Sequence, residues 1–505
     1  MFGSPFFCVQ NMKPTKSEFI ELAKDANVVC VFGELLADME TPVSTFAKVV
    51  DMPNAFLLES AESVENWGRF SFIGLEPKAI FRLRDGKSEL KFKSGKVERL
   101  DNNPLDSLRN YLNSRKIAKS DELPEFAGGA VGYFGYECVN LFERLPAPKT
   151  EALWDDAYLG IYDDLVIFDN FRHTVKFLAC AHIDEFDSAE AAYDDAAARV
   201  KKLMEIYRLP RQKLAKSPEN LRIKMKSNMP KDDYLNMVET AKEYIRSGEI
   251  IQVVLSQEFE SDAKVDVLSA YRALRFINPS PYMFCLKSGE NCLVGSSPET
   301  LVRFSQGKAY ASPIAGTSKR GKTRREDMEL ADGLLANPKE RAEHLMLVDL
   351  GRNDISRFCE PGSVQVNEFM NIQRYSHVMH LVSHITGEVK KGVDAFDALR
   401  ATFPAGTLSG APKVRAMQII NELETTRRGP YGGSAGYIAY GGSMDMAITI
   451  RTLQIRGGKL SVRAGGGIVY DSDPEMEYEE TRAKSGAVAK AIEAASKIEL
   501  DTDSI

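Results

Sequence analysis

The feature that most narrows the fold is a change of rhythm in the apolar residues along the chain. From about residue 28 to 180, runs such as "AFLLES", "KAIFRL", "LKFKSG" and "DLVIFDN" are cut short by Gly, Pro and Asp. β-branched and aromatic side chains sit well on a pleated surface and the breakers supply turns, so this stretch predicts short strands. Between 186 and 246 the rhythm becomes helical, in "DSAEAAYDDAAARVKKLMEIYRL" and again in "PKDDYLNMVETAKEYIRSGE", with Gly248 as the stop. The polar "RQKLAKSPENLR" between them puts a boundary near residue 215, separating a β-rich region, 1–215, from a second region, 216–505. That second region alternates strands ("IIQVVLSQEFE", "MAITIRTLQIRG") with helices ("KERAEHLMLVDL" and the terminal "PEMEYEETRAKSGAVAKAIEAASK"). Mixed order of this kind predicts an α+β fold with large antiparallel sheets flanked by helices.

Composition removes several functions. The 72 acidic and 65 basic residues are spread along all 505 positions, with no basic tract to follow a phosphate backbone, so no nucleic acid is expected. No apolar run reaches the ~18 residues of a membrane span. The opening "MFGSPFFCVQNMKPTKSEF" lacks the basic start and long apolar core of a signal peptide, and Met12 offers a second start. Seven scattered cysteines without a CxxC pair argue against a disulfide framework or a zinc knuckle and point to the cytoplasm.

Chemistry concentrates near the C-terminus. In "DSDPEMEYEETRAKSG", Asp473 is an N-cap and Pro474 the first helical residue, which puts Glu477, Glu480 and Lys484 on one face near the positive end of the helix dipole. The same spacing fits a solvated acidic helix start. The preceding "VRAGGGIVY" reads as a strand stripped of side chains at Gly465 to Gly467, as happens where a ligand or another backbone comes close. Glu343, on "PKERAEHLMLVDL", is a candidate partner, and carboxylates without cysteine or clustered histidine favour Mg2+ over zinc.

Three histidines fall in "SHVMHLVSHITGEV", a strand by its β-branched content. There His380 and His384 share a face but lie about 13 Å apart at roughly 3.3 Å per residue, too far for one ion, while His377 points the other way. A lone histidine remains an acid or base candidate. Neither "AGTLSGAPK" nor "RAGGGIVYDS" satisfies a phosphate-binding loop, so ATP and NAD are not indicated. What is left is a pocket rimmed by Arg451, Lys413 and Lys484 beside an acidic site, suited to a small anionic substrate.

The motifs "SSPETL", "PIAGT", "RAEHLMLVDLGRND", "MHLVS", "FPAGTLSGAPK" and "EYEETRAKSGA", in that order, with "LLES" and "GGAVGYFGYE" in the first half, resemble the chorismate-utilising enzymes. The likeness covers nearly the whole chain and is strongest to the branch that forms anthranilate. It implies that family's fold, and attack of ammonia on ring C2 of chorismate with loss of the C4 hydroxyl and then of pyruvate. Ala315 stands where sister enzymes carry a lysine, which leaves room for ammonia. The resemblance places Mg2+ on Glu343 and Glu480, with Glu477 in the surrounding shell. It places His380 near the leaving hydroxyl and Glu299 where it manages protons, without separating their roles. It implies that Gly316 and Thr317 line the pocket, Thr317 counting with His380 and Glu299 as catalytic, and that Tyr431, Arg451, Gly467 and Lys484 bind the two carboxylates. It further implies inhibition by tryptophan at Glu59, Ser60, Pro281, Tyr282 and Met283. A separate glutamine amidotransferase subunit would supply ammonia in a hetero-oligomer, because none of the seven cysteines has a glycine-flanked nucleophile setting. Formation of aminodeoxychorismate is the alternative, and a non-catalytic sensor of tryptophan or chorismate the remote one.

Overall fold

The computed structural model describes residues 12–61, 68–100, 103–147, 149–210, 222–375 and 378–497. Within them the strand runs pair into two antiparallel sheets, each twelve-stranded. In the first sheet, Val28–Leu36, Thr174–His182, Asp164–Asp169, Phe70–Gly74 and Phe56–Glu59 continue directly into Tyr282–Ser288, Asn291–Ser297, Thr452–Arg456, Lys459–Ile468 and Gln252–Ser261. In the second, Ile314–Lys319, Val378–Glu388, Lys308–Ala311, Thr300–Ser305, Met444–Ile448 and Ser434–Ala439 continue into Gly129–Phe134, Ala157–Tyr162 and Ala79–Arg84. The joins are the pairing of Glu59 with Met283 and of Gly132 with Gly436. The expected division at residue 215 therefore does not separate two sheets, because both halves of the chain contribute strands to each; residue 215 itself lies outside the described residues.

Period-two alternation builds the layers. Phe56 and Phe72 point between the sheets and meet Phe81, Val131 and Ile161 of the second sheet, with Phe126 from the loop before Gly129, in one buried core. Their neighbours Leu57 and Ile73 face the other way, into a second core. There the helices Ala189–Tyr207, Val267–Ile277 and Pro474–Lys497 cover the sheet through Ala196, Val200, Tyr271 and Ile492. Among the described residues no helix is long and apolar enough to cross a membrane.

One strand expectation needs correcting. "MAITIRTLQIRG" is not a single strand: Met444–Ile448 belongs to the second sheet and Thr452–Arg456 to the first. Apolar residues run through both parts, so periodicity carries no mark of the change, which is made in the backbone, with Arg451 in the left-handed region at φ 48°. A matching change occurs between Asn291–Ser297 and Thr300–Ser305, across Glu299. The two crossings are tied together, Ile448 N donating to the Glu299 carbonyl (2.9 Å) and Ser297 Oγ to the Ile448 carbonyl (2.6 Å).

Candidate active site

Glu299 and Arg451 thus sit side by side because the chain passes from sheet to sheet at both. Glu299 is 8% exposed, and Thr407 Oγ1 donates to its Oε1 at 3.0 Å. Burial pushes its carboxyl up to about 7, against the opposing pull of the Thr407 hydroxyl and the Arg451 charge. Glu299, Ser312, Leu347 and Thr407 line one open cleft.

His380 arrives on Val378–Glu388, which pairs with Ile314–Lys319. The pairing slips between Ala315, opposite Leu381, and Thr317, opposite His380, and the extra residue is Gly316 at φ +64°, a bulge that suits glycine. His380 Nδ1 lies 2.8 Å from the Gly316 carbonyl and 3.1 Å from Thr317 Oγ1. A carbonyl can only accept, so Nδ1 carries the hydrogen and Nε2 keeps its lone pair. Burial, with a smaller push from Arg451, lowers the imidazole pKa and keeps the ring neutral. Ala315 is buried beside this bulge.

The acidic cluster is assembled from two helices. Asp473 caps the C-terminal helix, its Oδ1 accepting from Met476 N at 2.9 Å. Lys484 Nζ pairs with Glu480 Oε1 at 2.6 Å and donates to the Gly465 carbonyl at 3.0 Å, which ties the helix to the glycine strand. Glu343 comes from Pro338–Ser356; burial and then the charges of Glu340 and Glu480 raise its carboxyl pKa. Burial also raises Glu477, assisted by Glu480 and opposed by the Ser472 hydroxyl, which donates to Glu477 Oε1 at 2.8 Å. Glu343 and Glu477 thus each feel the charge of Glu480. Among the described residues no three His, Cys, Asp or Glu side chains form a ready-made metal cage. Such a hard-oxygen set suits an ion that takes few protein carboxylates and keeps its other positions for water and substrate.

The glycines of Lys459–Ile468 are needed for room. A Cβ on Gly465 would lie 2.7 Å from the Tyr431 hydroxyl, and one on Gly467 would strike the Gln252 amide. Tyr431, pushed up to about 12 by burial, remains a donor there.

Other expectations fare differently. Lys413 does not rim an open carboxylate pocket; its Nζ is held by Asp354 Oδ2 at 2.7 Å in a largely buried pair. His384 lies against Ser312 Oγ at 2.9 Å, and His377 is outside the described residues. The five inhibitor-site candidates are brought together by the pairing of Phe56–Glu59 with Tyr282–Ser288. Glu59 Oε1 there accepts from the Tyr271 hydroxyl and from Arg275 Nε at 2.7 Å, while the Tyr282 hydroxyl reaches Thr300 Oγ1 and Asp445 Oδ1, both at 2.9 Å. Two residues were not singled out in sequence. Thr407 lies inside "FPAGTLSGAPK", a motif from which only Lys413 is taken as a candidate; Glu340 lies one helical turn before Glu343, a spacing that could have flagged it.

Residues 53–490 match the family of chorismate binding enzymes. The chain is 44% identical over 492 residues to anthranilate synthase component 1 of Acetivibrio thermocellus, covering 96% of this chain and 99% of that protein. It is 45% identical over 493 residues to the protein of the same name from Aquifex aeolicus (strain VF5), covering 96% and 99%. The solved anthranilate synthase component I from Streptococcus pneumoniae TIGR4 superposes with a TM-score of 0.74 at 36% identity, over 85% of this chain and 93% of that one. The menaquinone-specific isochorismate synthase of Escherichia coli, 19% identical with a TM-score of 0.69 over 94% and 99%, shares the fold. With its sheet-crossing glutamate and arginine, its bulge-held histidine and its glycine strand, this chain belongs to the chorismate-binding enzymes, in the family of anthranilate synthase component 1.

Proposed function

We propose that the protein converts chorismate and ammonia to anthranilate and pyruvate, taking ammonia from a separate glutaminase subunit and responding to tryptophan as inhibitor. The observation that carries the reading is the proton inventory at the sheet crossing. Glu299 holds its proton up to about pH 7, whereas His380 is neutral with a free Nε2 lone pair. Glu299 is therefore the proton donor of the site, and His380, through Nε2, the proton acceptor. Arg451, Tyr431 and Lys484 supply donors for the two carboxylates of chorismate, and the methyl of Ala315, in place of an amine side chain, leaves room for ammonia as the attacking nucleophile. Glu343 and Glu480 would hold Mg2+, with Glu477 beside them. That ion supplies positive charge to orient the ring carboxylate and to stabilise charge developing in the conjugated system.

The test is product analysis by fluorescence and mass after mixing the purified chain with chorismate, ammonium and Mg2+, alongside a chelator control and the Ala315→Lys variant. Anthranilate plus pyruvate, lost on chelation and lost in the variant, supports the assignment. Aminodeoxychorismate as the product would move the chain to the sister reaction, and binding without turnover would make it a sensor.

A further inference from the structure

Tyr234 is entirely buried, at 0% exposure, yet its hydroxyl has no hydrogen-bond partner among the described residues. Leaving a hydroxyl buried and unpaired is costly, and such a group in a folded protein calls for an unseen partner. Where it points narrows the choice. The three atoms nearest a Cβ built on Gly466 would be Glu477 Oε2 at 2.6 Å, Glu477 Cδ at 3.8 Å and the Tyr234 hydroxyl at 4.0 Å. The same small space over the glycine strand is therefore faced by a donor from Lys231–Arg246 and an acceptor from Pro474–Lys497. Glu477 has its Oε1 occupied by Ser472, and no described group donates to its Oε2.

A direct bond is not made, but both oxygens border the same point over Gly466, and two successive O–H···O bonds through one intervening molecule would span about 5.5 Å. Burial, followed by the charge of Glu477, pushes the phenol well up, so it stays a donor wherever the enzyme works. We infer that Tyr234 is a positioning residue for the acidic cluster: it donates to a water held over Gly466, and that water donates to Glu477 Oε2. Ser472 on one oxygen and the water on the other fix the rotation of the Glu477 carboxylate, which stands one helical turn before Glu480. Side chains that orient metal-side carboxylates in this way commonly change metal affinity 10- to 100-fold when removed.

The inference rests on the proposed Mg2+ site, and the experiment separates the two. Tyr234→Phe removes one oxygen and keeps the ring that packs against Tyr478. Its Mg2+ affinity is measured by calorimetry without substrate, its KM and kcat for chorismate are compared with wild type, and its structure is solved at a resolution that shows ordered water. The expected result is a folded variant whose Mg2+ binding is weaker by about tenfold, with a raised KM. In the wild-type crystal, a water within hydrogen-bond distance of the Tyr234 hydroxyl and Glu477 Oε2 is expected. A wild-type protein that makes anthranilate but has a dry space there, or a variant with unchanged affinity and KM, overturns the role of Tyr234. Absence of Mg2+ binding by the wild type overturns the metal assignment instead, and the water and the KM then decide the inference alone.

Discussion

At the scale of single residues, Glu299 couples stability to activity. Its carboxyl titrates near 4.5 when unfolded and at about 7 when folded, so the native state binds the extra proton between those values. The linked stability is present below about pH 4.5 and is lost as pH rises through about 7, a difference of about 3 kcal/mol. Glu299→Gln should therefore be more stable than wild type at pH 8, an advantage that vanishes at pH 4.5, as read by thermal midpoints at both pH values. The same variant should lose about 10²–10⁴-fold in kcat, and the fall of wild-type kcat/KM above pH 7 should disappear with it. Ser60→Ala should raise the tryptophan concentration needed for half inhibition severalfold while kcat stays close to wild type; an unmoved inhibition curve would detach Ser60 from that site. The identity of these groups was readable in the sequence, since motif positions name them. Their protonation was not: it depends on burial and on Gly316, Thr407 and Arg451 being brought in from distant segments.

At the scale of elements, the glycine strand is the most sensitive part. Gly465→Ala would put a methyl 2.7 Å from the Tyr431 hydroxyl and 2.8 Å from the Leu255 carbonyl, so the backbone or the Tyr431 side chain must move. The KM for chorismate should rise by about 10–100-fold, given what sub-ångström misplacement costs in aligned sites, while circular dichroism stays near wild type. The strand was legible from its β-branched flanks and its glycines, and the C-terminal helix from its Asp473 cap and Pro474. The break at Arg451 was not legible, because an apolar run that changes sheets looks like one that continues. The bulge at Gly316 escaped for a related reason: "PIAGT" shows a glycine but not the partner strand against which it slips.

At the scale of the whole molecule, the two halves are interleaved. Phe56–Glu59 needs Tyr282–Ser288 beside it, and Gly129–Phe134 needs Ser434–Ala439. Separated, each half would expose buried apolar strand edges, which aggregate. Fragments 1–215 and 216–505 should therefore be insoluble when expressed singly and should co-purify as an active complex when expressed together; a fragment that folds alone would contradict the shared sheets. Composition and rhythm gave the α+β class, but a boundary inferred from a polar stretch marks where the chain is hydrophilic, not where the sheets end. The crossings at Glu299 and Arg451 act as pegs through two boards, and the pegs are the residues to which the proposed chemistry is assigned. Any ligand that slides one board against the other shifts the pegs at once, so control from a remote pocket needs no relay of small displacements through the core.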